Sequence, residues 1–310
     1  MPQNSLNFGI LLLPIIRKVY GDEYAQYPEE YSRIYEMDTS KRAYEEDHNI
    51  STLGLVPRKK QGQAVSYDAF YDGWTTRYTH DTFGLGFIVT RELYDDAQYR
   101  NIKAMPKALA RSVRQTIEID AANVLNNAFD VAHPIGDGLQ IGSNVHKLIS
   151  GGTFSNVPSV PADLDVTSFE QATIDIALNW LDERGLKMMA MAKKLIVHQN
   201  NNFQAQMLLK SSGLPDTANN NINPAQNLLP GGYEILHWLS DPNAWFIQTD
   251  VPNGLTCLWR DRPEFTQDND FDTENAKYKT RYRKSMGLTD PRGIYSVAGS
   301  AYTGTDSNSY

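Results

Sequence analysis

The sequence predicts an α+β fold, with helices and strands interleaved but without regular βαβ alternation. Residues 91–129 carry apolar side chains at intervals of three or four, which is typical of an amphipathic helix. Three short runs, residues 233–238, 244–249 and 256–260, are separated by turns rich in proline and asparagine and favour strands. Because these elements follow no fixed order, a doubly wound parallel sheet is not expected.

The helix within residues 91–129 is the clearest element. Its apolar stripe includes Leu109, Val113, Ile117 and Ala121. Pro106 is expected in the first turn, where a missing backbone N–H costs little. The helical part from residue 105 to 129 would then span roughly 36 Å, at about 1.5 Å per residue.

Shorter elements follow this helix. The spacing predicts a second helix over residues 168–184, with Gly185 just after its end, and a third over residues 202–211. A buried strand is expected at residues 194–198. Glycine, proline and asparagine dominate the two long loops, residues 131–161 and 212–230. A loop of such length in a compact domain is often functional.

Composition restricts the class of protein. The chain has 310 residues, of which 41% are hydrophobic and 21% charged, so a folded core is expected rather than wholesale disorder. Its net charge of −8 argues against a nucleic-acid-binding protein. The single cysteine, Cys257, excludes an intrachain disulfide framework and a cysteine-based zinc site. The apolar run at residues 6–16 is too short for a membrane span, so no membrane contact is expected.

The segment of residues 21–49 is rich in tyrosine and acidic side chains. It carries nine acidic and three basic residues and few aliphatic ones, so it should not form a core of its own. We expect an N-terminal arm that becomes ordered on neighbouring subunits, with Tyr27 and Tyr31 as candidate contacts, because tyrosine is enriched at interfaces. The alternative is a solvated tail.

Residues 63–87 show the alternation of a β-hairpin. Asp72 and Gly73 form a two-residue turn signal between the alternating runs, and Trp74 follows directly. A two-stranded ribbon is only marginally stable alone, so it must pack on this subunit or reach a partner. Asp72, Gly73 and Trp74 are therefore candidate assembly contacts.

A basic cluster precedes this ribbon and is expected at its base. It consists of Arg58, Lys59 and Lys60. These side chains either form a solvated charged run or contact an acidic patch on a partner, such as the arm of another copy. They complete the set of candidate assembly residues.

No catalytic or metal site is expected. Asp268, Asp270 and Asp272 imitate the start of a calcium-binding loop, but Thr273 replaces its glycine and Lys279 its bidentate glutamate. His146 has no recognisable nucleophile or carboxylate partner. The sequence therefore predicts no cofactor and no enzymatic activity. A soluble metal-dependent hydrolase is the weakest reading, and stoichiometric divalent metal in a monomer would distinguish it.

An ordered set of motifs carries a resemblance across nearly the whole chain. In residues 264–299, an acidic run precedes alternating polar and aromatic residues and the turn Asp290-Pro291-Arg292-Gly293. The chain resembles major capsid proteins of tailed double-stranded DNA bacteriophages, which have the HK97-like fold, and more distantly Mu-like major head subunits. Further motifs that carry the resemblance are Tyr27-Pro28-Glu29-Glu30-Tyr31, Arg77-Tyr78-Thr79-His80, Ala121-Ala122-Asn123-Val124-Leu125-Asn126 and Gly151-Gly152-Thr153-Phe154-Ser155-Asn156.

The resemblance implies a division of the chain into five parts. Residues 1–50 would form the N-terminal arm and residues 51–90 an extended hairpin loop. Residues 91–165 would build a peripheral domain on the long spine helix, and residues 166–260 mainly an axial domain. Residues 261–310 would supply return strands of the peripheral domain and a C-terminal axial segment.

The resemblance also implies function and partners. Pentamers and hexamers of the chain would close into an icosahedral virion capsid, assembled in the bacterial host cytoplasm. Separate scaffolding and portal proteins are expected, and decoration proteins are left open. DNA would be enclosed without sequence-specific binding. The alternative with the same fold is an encapsulin-like bacterial compartment, which the contents of purified particles would distinguish.

Overall fold

The structure is a computed structural model that describes residues 8–96, 99–213, 222–269 and 275–300. The helices are α1 (Phe8–Gln26), α2 (Arg91–Asp95), α3 (Tyr99–Asn126), α4 (Val166–Asn179) and α5 (Asn202–Lys210). The strands are β1 (Glu36–Thr39), β2 (Tyr44–Ile50), β3 (Asp72–Thr79), β4 (Asp81–Val89), β5 (His146–Lys147), β6 (Thr153–Phe154), β7 (Ala192–His198), β8 (Tyr233–Leu236), β9 (Trp245–Thr249), β10 (Leu255–Asn269), β11 (Ala276–Leu288) and β12 (Ile294–Val297). The mixture confirms the α+β prediction. Within these residues, no helix is long and apolar enough to cross a membrane.

The long helix α3 confirms the main helical prediction. Its apolar stripe, including Val113, Ile117 and Leu125, is buried in the larger of two hydrophobic cores. At about 1.5 Å per residue, its 28 residues extend roughly 42 Å. Pro106 was expected in the first turn, and this is wrong because the helix begins seven residues earlier, at Tyr99.

The first core lies between the helices α1 and α3 and a four-stranded sheet of order β1-β10-β11-β4. Strand β11 buries every second residue along most of its length, which confirms the alternation seen in the sequence. Aromatic side chains of β11 pack on those of β4, and Phe265 of the neighbouring strand β10 packs on α1. The ring centroids of Phe83 and Tyr282 are 5.0 Å apart, and those of Tyr20 and Phe265 are 4.9 Å apart.

The N-terminal segment, residues 8–35, belongs to this core. Tyr31, Ile34 and Tyr35 are buried, and the Tyr35 hydroxyl donates to the carbonyl oxygen of Ala121 on α3 at 2.7 Å. The arm was expected to become ordered on neighbouring subunits, whereas this part of it packs on its own subunit. Leu12, Ile16 and Tyr20 of α1 also belong to this core, which the segment shares with the spine helix.

The second sheet, of order β12-β9-β7-β8, separates the two cores. Ile196 and Phe246 face the first core, whereas Leu195, Val197 and Trp245 face the second, where α4 and α5 pack. Burial on both faces explains why these strands read as continuous apolar runs. The strand predicted at residues 194–198 and the helix predicted at residues 202–211 are confirmed within two residues.

The predicted helix of residues 168–184 ends early. Helix α4 stops at Asn179, and Gly185 lies in the following turn rather than at the helix end. Its φ of +78° is still one that glycine adopts without strain. The turn closes through an N–H of Gly185 that donates to the carbonyl oxygen of Asp182 at 3.0 Å.

The predicted hairpin of residues 63–87 is wrong. Strand β3 pairs antiparallel with β2, so that Tyr44 lies opposite Thr79, while β4 pairs with β11. Asp72 and Gly73 open β3 instead of forming a turn. An added Cβ at Gly73 would lie 3.0 Å from the carbonyl oxygen of Asn49, at an irregularity in β2. Glycine is needed there because the two strands approach closely. The same Asp-Gly pair is common in turns, which is why the sequence pattern predicted one.

Candidate assembly surface

Residues 51–71 form an extended loop between the paired strands β2 and β3. No helix or strand occurs in it, and residues 55–72 are all exposed. Several of its exposed side chains are apolar: Leu55 is 81% exposed, Val56 94% and Tyr67 96%. A set of exposed apolar side chains on a projecting element is typical of an interaction surface.

The tip of this loop is a tight turn. The N–H of Gln63 donates to the carbonyl oxygen of Lys60 at 3.2 Å, and Gly62 has a φ of +80°. A positive φ at the third position is the mark of a type II turn. Arg58, Lys59 and Lys60, all exposed, directly precede or begin this turn. The basic cluster therefore lies at the tip of the loop. Its predicted position at the base is wrong.

Trp74 does not lie at a ribbon tip. It is half-buried in β3, its indole N–H lies 3.5 Å from the carbonyl oxygen of Thr289, and its ring lies against Gly136. Asp72 is exposed at the start of the same strand, and Gly73 is half-buried beside Asn49. The tip position expected for these three residues is wrong, because their strand pairs with β2.

The two candidate tyrosines contact their own subunit. Tyr27 is half-buried, with its hydroxyl 3.5 Å from Glu23 and its ring 5.8 Å from the Arg111 guanidinium. Tyr31 is 4% exposed and packs in the first core.

A buried carboxylate attaches this segment to the spine helix. Glu118 of α3 accepts hydrogen bonds from the backbone N–H groups of Glu30, at 3.1 Å, and Tyr31, at 3.0 Å. Burial raises the pKa of Glu118 to about 7, against these hydrogen bonds and the nearby Arg114, which lower it. Arg114 itself pairs with Glu29 at 2.6 Å.

The base of the extended loop is held by a turn that sequence reasoning missed. Asp182, Glu183 and Arg184, which follow α4, contact both legs of the loop. The one available signal was the turn itself, since Gly185 had been recognised as a helix stop. Nothing in the local pattern indicated contacts with residues more than 110 positions away.

The expectation that His146 lacks a carboxylate partner is wrong. His146 is buried, its Nδ1 lies 2.6 Å from Asp137, and its Nε2 lies 3.1 Å from the carbonyl oxygen of Ile141. Asn156 completes this network and joins it to the turn before β12. Burial raises the pKa of the Cys257 thiol to about 12, so it is not a reactive nucleophile at neutral pH.

Metal ligands do not cluster in the part of the chain that the structure describes. Asp268 lies in β10, whereas Asp270, Asp272 and Thr273 lie outside the described residues. A cavity of about 510 Å³ lies between α3 and β11. In it, Asp120 pairs with Lys284 at 2.7 Å.

Comparison with known proteins identifies the family of the chain and solved structures with a similar fold. A family model for phage capsid protein matches residues 74–297. No curated protein matches the chain. The chain is similar to a subunit of the procapsid of bacteriophage JBD30, at 13% identity and a TM-score of 0.53 over 94% of this chain and 75% of that one.

Two further solved structures share the fold. One is a virus-like particle from Pyrococcus furiosus, at 8% identity and a TM-score of 0.51 over 91% of this chain and 98% of that one. The other is the capsid of cyanophage P-SCSP1u, at 9% identity and a TM-score of 0.51 over 87% of each chain. The family match covers more than half of the sequence, and the encapsulin-like alternative has less support. The chain belongs to the phage capsid protein family and is a phage major capsid protein with an HK97-like fold.

Proposed function

We propose that this subunit joins its neighbours through the extended loop, forming pentamers and hexamers that close into an icosahedral head around DNA. The observation that carries this proposal is the exposure of Leu55, Val56 and Tyr67 on a loop with no secondary structure. Burying these side chains on another copy would recover roughly 1.5–3 kcal/mol for each large apolar group. The rest of the subunit already has two cores of its own.

The two cores support a division into peripheral and axial domains. The first core, built on α3, would be the peripheral domain of residues 91–165 with return strands from residues 261–310. The second core, with α4 and α5, would be the axial domain of residues 166–260. The arm of residues 1–50 and the loop of residues 51–90 would share one two-stranded ribbon, because β2 at the end of the arm pairs with β3 of the loop.

The remaining parts of the proposal concern partners and chemistry. The subunit has a structural, non-enzymatic role, with assembly in the host cytoplasm aided by separate scaffolding and portal proteins. The net charge of −8 supports DNA packing without sequence-specific binding, since an acidic wall does not grip phosphates. DNA rather than a cargo protein is expected inside purified particles.

The test replaces four exposed side chains of the loop. In the variant Leu55→Ser, Val56→Ser, Val65→Ser and Tyr67→Ser, we expect at least about tenfold fewer closed particles by electron microscopy. The melting temperature of the dissociated subunit should change by no more than about 2 °C, because exposed sites contribute little to folding. The matched control, Leu55→Met, Val56→Ile, Val65→Ile and Tyr67→Phe, keeps the apolar surface and should assemble. Normal particle yield from the serine variant would contradict the proposal.

A further inference from the structure

Three consecutive side chains after α4 hold both legs of the extended loop. We call Asp182, Glu183 and Arg184 the loop clamp. On the first leg, the Asn49 amide donates to Glu183 at 2.9 Å and the Thr52 hydroxyl donates to Asp182 at 2.5 Å. These contacts lie at the junction between β2 and the loop, before the chain extends away from the subunit.

Arg184 holds the second leg. Its guanidinium pairs with both carboxylate oxygens of Asp68, at 2.8 and 3.2 Å, and also donates to the carbonyl oxygen of Ala69. It lies 5.1 Å from the ring centre of Tyr71. Asp68 also accepts the N–H of Gly54 at 2.9 Å, which ties the two legs together. That hydrogen bond and Arg184 hold the pKa of Asp68 below its ordinary range, so the carboxylate is charged at neutral pH.

The clamp is fixed to the interior of the subunit. Glu183 forms a buried ion pair with Arg292 at 2.6 Å and accepts the backbone N–H of Ile149 at 3.3 Å. Arg292 in turn donates to the carbonyl oxygen of Leu181 at 2.9 Å. The turn itself is closed by Asp182, which accepts the N–H groups of Arg184 and Leu186 at 2.9 Å each. The loop is thus joined to a rigid part of the fold.

We propose that the loop clamp sets the direction in which the extended loop leaves the subunit, and that Arg184 and Asp68 are the positioning pair of shell assembly. This inference rests on the proposed function of the loop. The side chains of Arg184 and Asp68 are 19% and 43% exposed, so their ion pair contributes little to subunit stability. The ion pair would act instead by fixing the angle at which the loop leaves the subunit.

The length of the loop determines how far a change of this angle moves the tip. The tip at Gly62 is six residues from Asp68, at most about 20 Å away at about 3.3 Å per residue. A swing of about 20° at the clamp would displace the tip by about 7 Å, more than the width of a strand spacing of about 4.8 Å. A pair that barely affects folding can therefore decide whether the tip meets its partner surface.

The test is a charge reversal with rescue. Arg184→Asp and Asp68→Arg should each give at least about tenfold fewer closed particles of wild-type diameter, with open or mis-sized shells in their place. The double variant should recover part of the lost particles, because the ion pair is restored with its charges exchanged while the hydrogen bonds to Gly54 and Ala69 are not. Arg184→Lys, which keeps the charge but loses the two-pronged pairing, should give an intermediate spread of diameters.

Controls separate this inference from its alternatives. Subunit melting temperatures should stay within about 3 °C, and Asp68→Asn, which keeps an acceptor for Gly54, serves if a reversal variant fails to fold. Wild-type particles from both single variants would overturn the clamp inference, and so would a double variant no better than the singles. If the serine variant of the loop assembles normally, the proposed function fails. If that variant is defective while both single reversal variants assemble normally, only the clamp inference fails.

Discussion

The N-terminal segment and the extended loop both carry tyrosines, yet the fold uses these side chains in opposite ways. Tyr35 in the first is buried and hydrogen-bonded to α3, whereas Tyr67 in the second is almost fully exposed. Both segments contain tyrosines and charged residues, and the N-terminal segment also carries the apolar run that ends at Ile16. The difference shows that tyrosines alone do not decide between core and interface. The surface available opposite each segment decides it.

For the N-terminal segment, that surface is the spine helix. Glu23 pairs with Arg111 at 2.8 Å, Glu29 with Arg114 at 2.6 Å, and Glu118 accepts two backbone N–H groups. These contacts on successive turns of α3 leave the apolar side chains between them in the core. The extended loop is held only at its base, so its outer residues have no partner surface within the described part of the subunit.

Matched tyrosine substitutions test this comparison, and they have the largest expected effect on stability. Tyr35→Ala should lower the free energy of unfolding by about 3–5 kcal/mol, because a large buried side chain and its hydrogen bond are lost. Tyr67→Ala should change it by less than about 0.5 kcal/mol. Urea denaturation of the dissociated subunit measures both values.

A conservative variant is the control for this pair. Tyr35→Phe keeps the ring and loses the hydrogen bond to Ala121, so it should cost only about 1 kcal/mol. Equal losses from Tyr35→Ala and Tyr67→Ala would contradict the assignment of one segment to the core and the other to an interface.

The sequence predicted those elements whose pattern is local. The stripe of α3 and the continuous runs of β7 and β9 depend only on neighbouring residues, so periodicity identified them. The pairing of β4 with β11 joins residues about 190 positions apart, and no local pattern specifies it. The alternation at residues 63–71 was likewise read as a strand, although no strand of this subunit pairs with it in the described residues.

The assembly surface was predicted in part for the same reason. The basic cluster and the aromatic residues of the loop could be identified from composition, but their positions depended on locating the turn. The turn lies at Gly62, whereas the predicted turn, Asp72-Gly73, was a site of close strand approach. The clamp could not be found at all, since Arg184 and Asp68 are 116 positions apart in the sequence.

The attachment of the N-terminal segment should depend on pH through Glu118. Its pKa is about 7 in the folded subunit, against an ordinary value of 4.5. Between these values the folded state keeps a proton that the unfolded state releases. Raising the pH from 4.5 to above 7 should therefore remove up to about 3 kcal/mol of stability from this group.

The variant Glu118→Gln tests that linkage, because it stays neutral at every pH. Nearby Arg114, Glu29 and Glu30 are present in both proteins, so the difference between the two unfolding curves isolates residue 118. The wild type should lose stability relative to the variant as the pH rises from 4.5 to 7.5. A constant difference over this range would show that folding does not shift the pKa of Glu118.

Two glycines with nearly the same backbone conformation sharpen the comparison further. Gly185 in the clamp turn has a φ of +78°, and Gly62 at the loop tip has a φ of +80°. Gly185→Ala should lower the free energy of unfolding by about 1 kcal/mol, because the turn is fixed within the fold. Gly62→Ala should cost much less in the isolated subunit, since the tip can relax into another turn. A similar cost at both positions would mean that the loop is rigid to its end.

The smallest effect on folding is expected at the basic tip. Replacing Arg58, Lys59 and Lys60 with glutamine should change the free energy of unfolding by less than about 0.5 kcal/mol, since all three are exposed. The same change should slow assembly several-fold at low salt, because it removes three positive charges that would approach an acidic partner on an otherwise negative subunit. Light scattering at two salt concentrations measures the rate. The difference in assembly rate between the wild type and the triple variant should become smaller as the salt concentration rises. Arg58→Lys, which keeps the charge, should assemble at the wild-type rate. An unchanged salt dependence in the triple variant would exclude the tip from electrostatic recognition and leave the apolar side chains behind it as the contacts that matter.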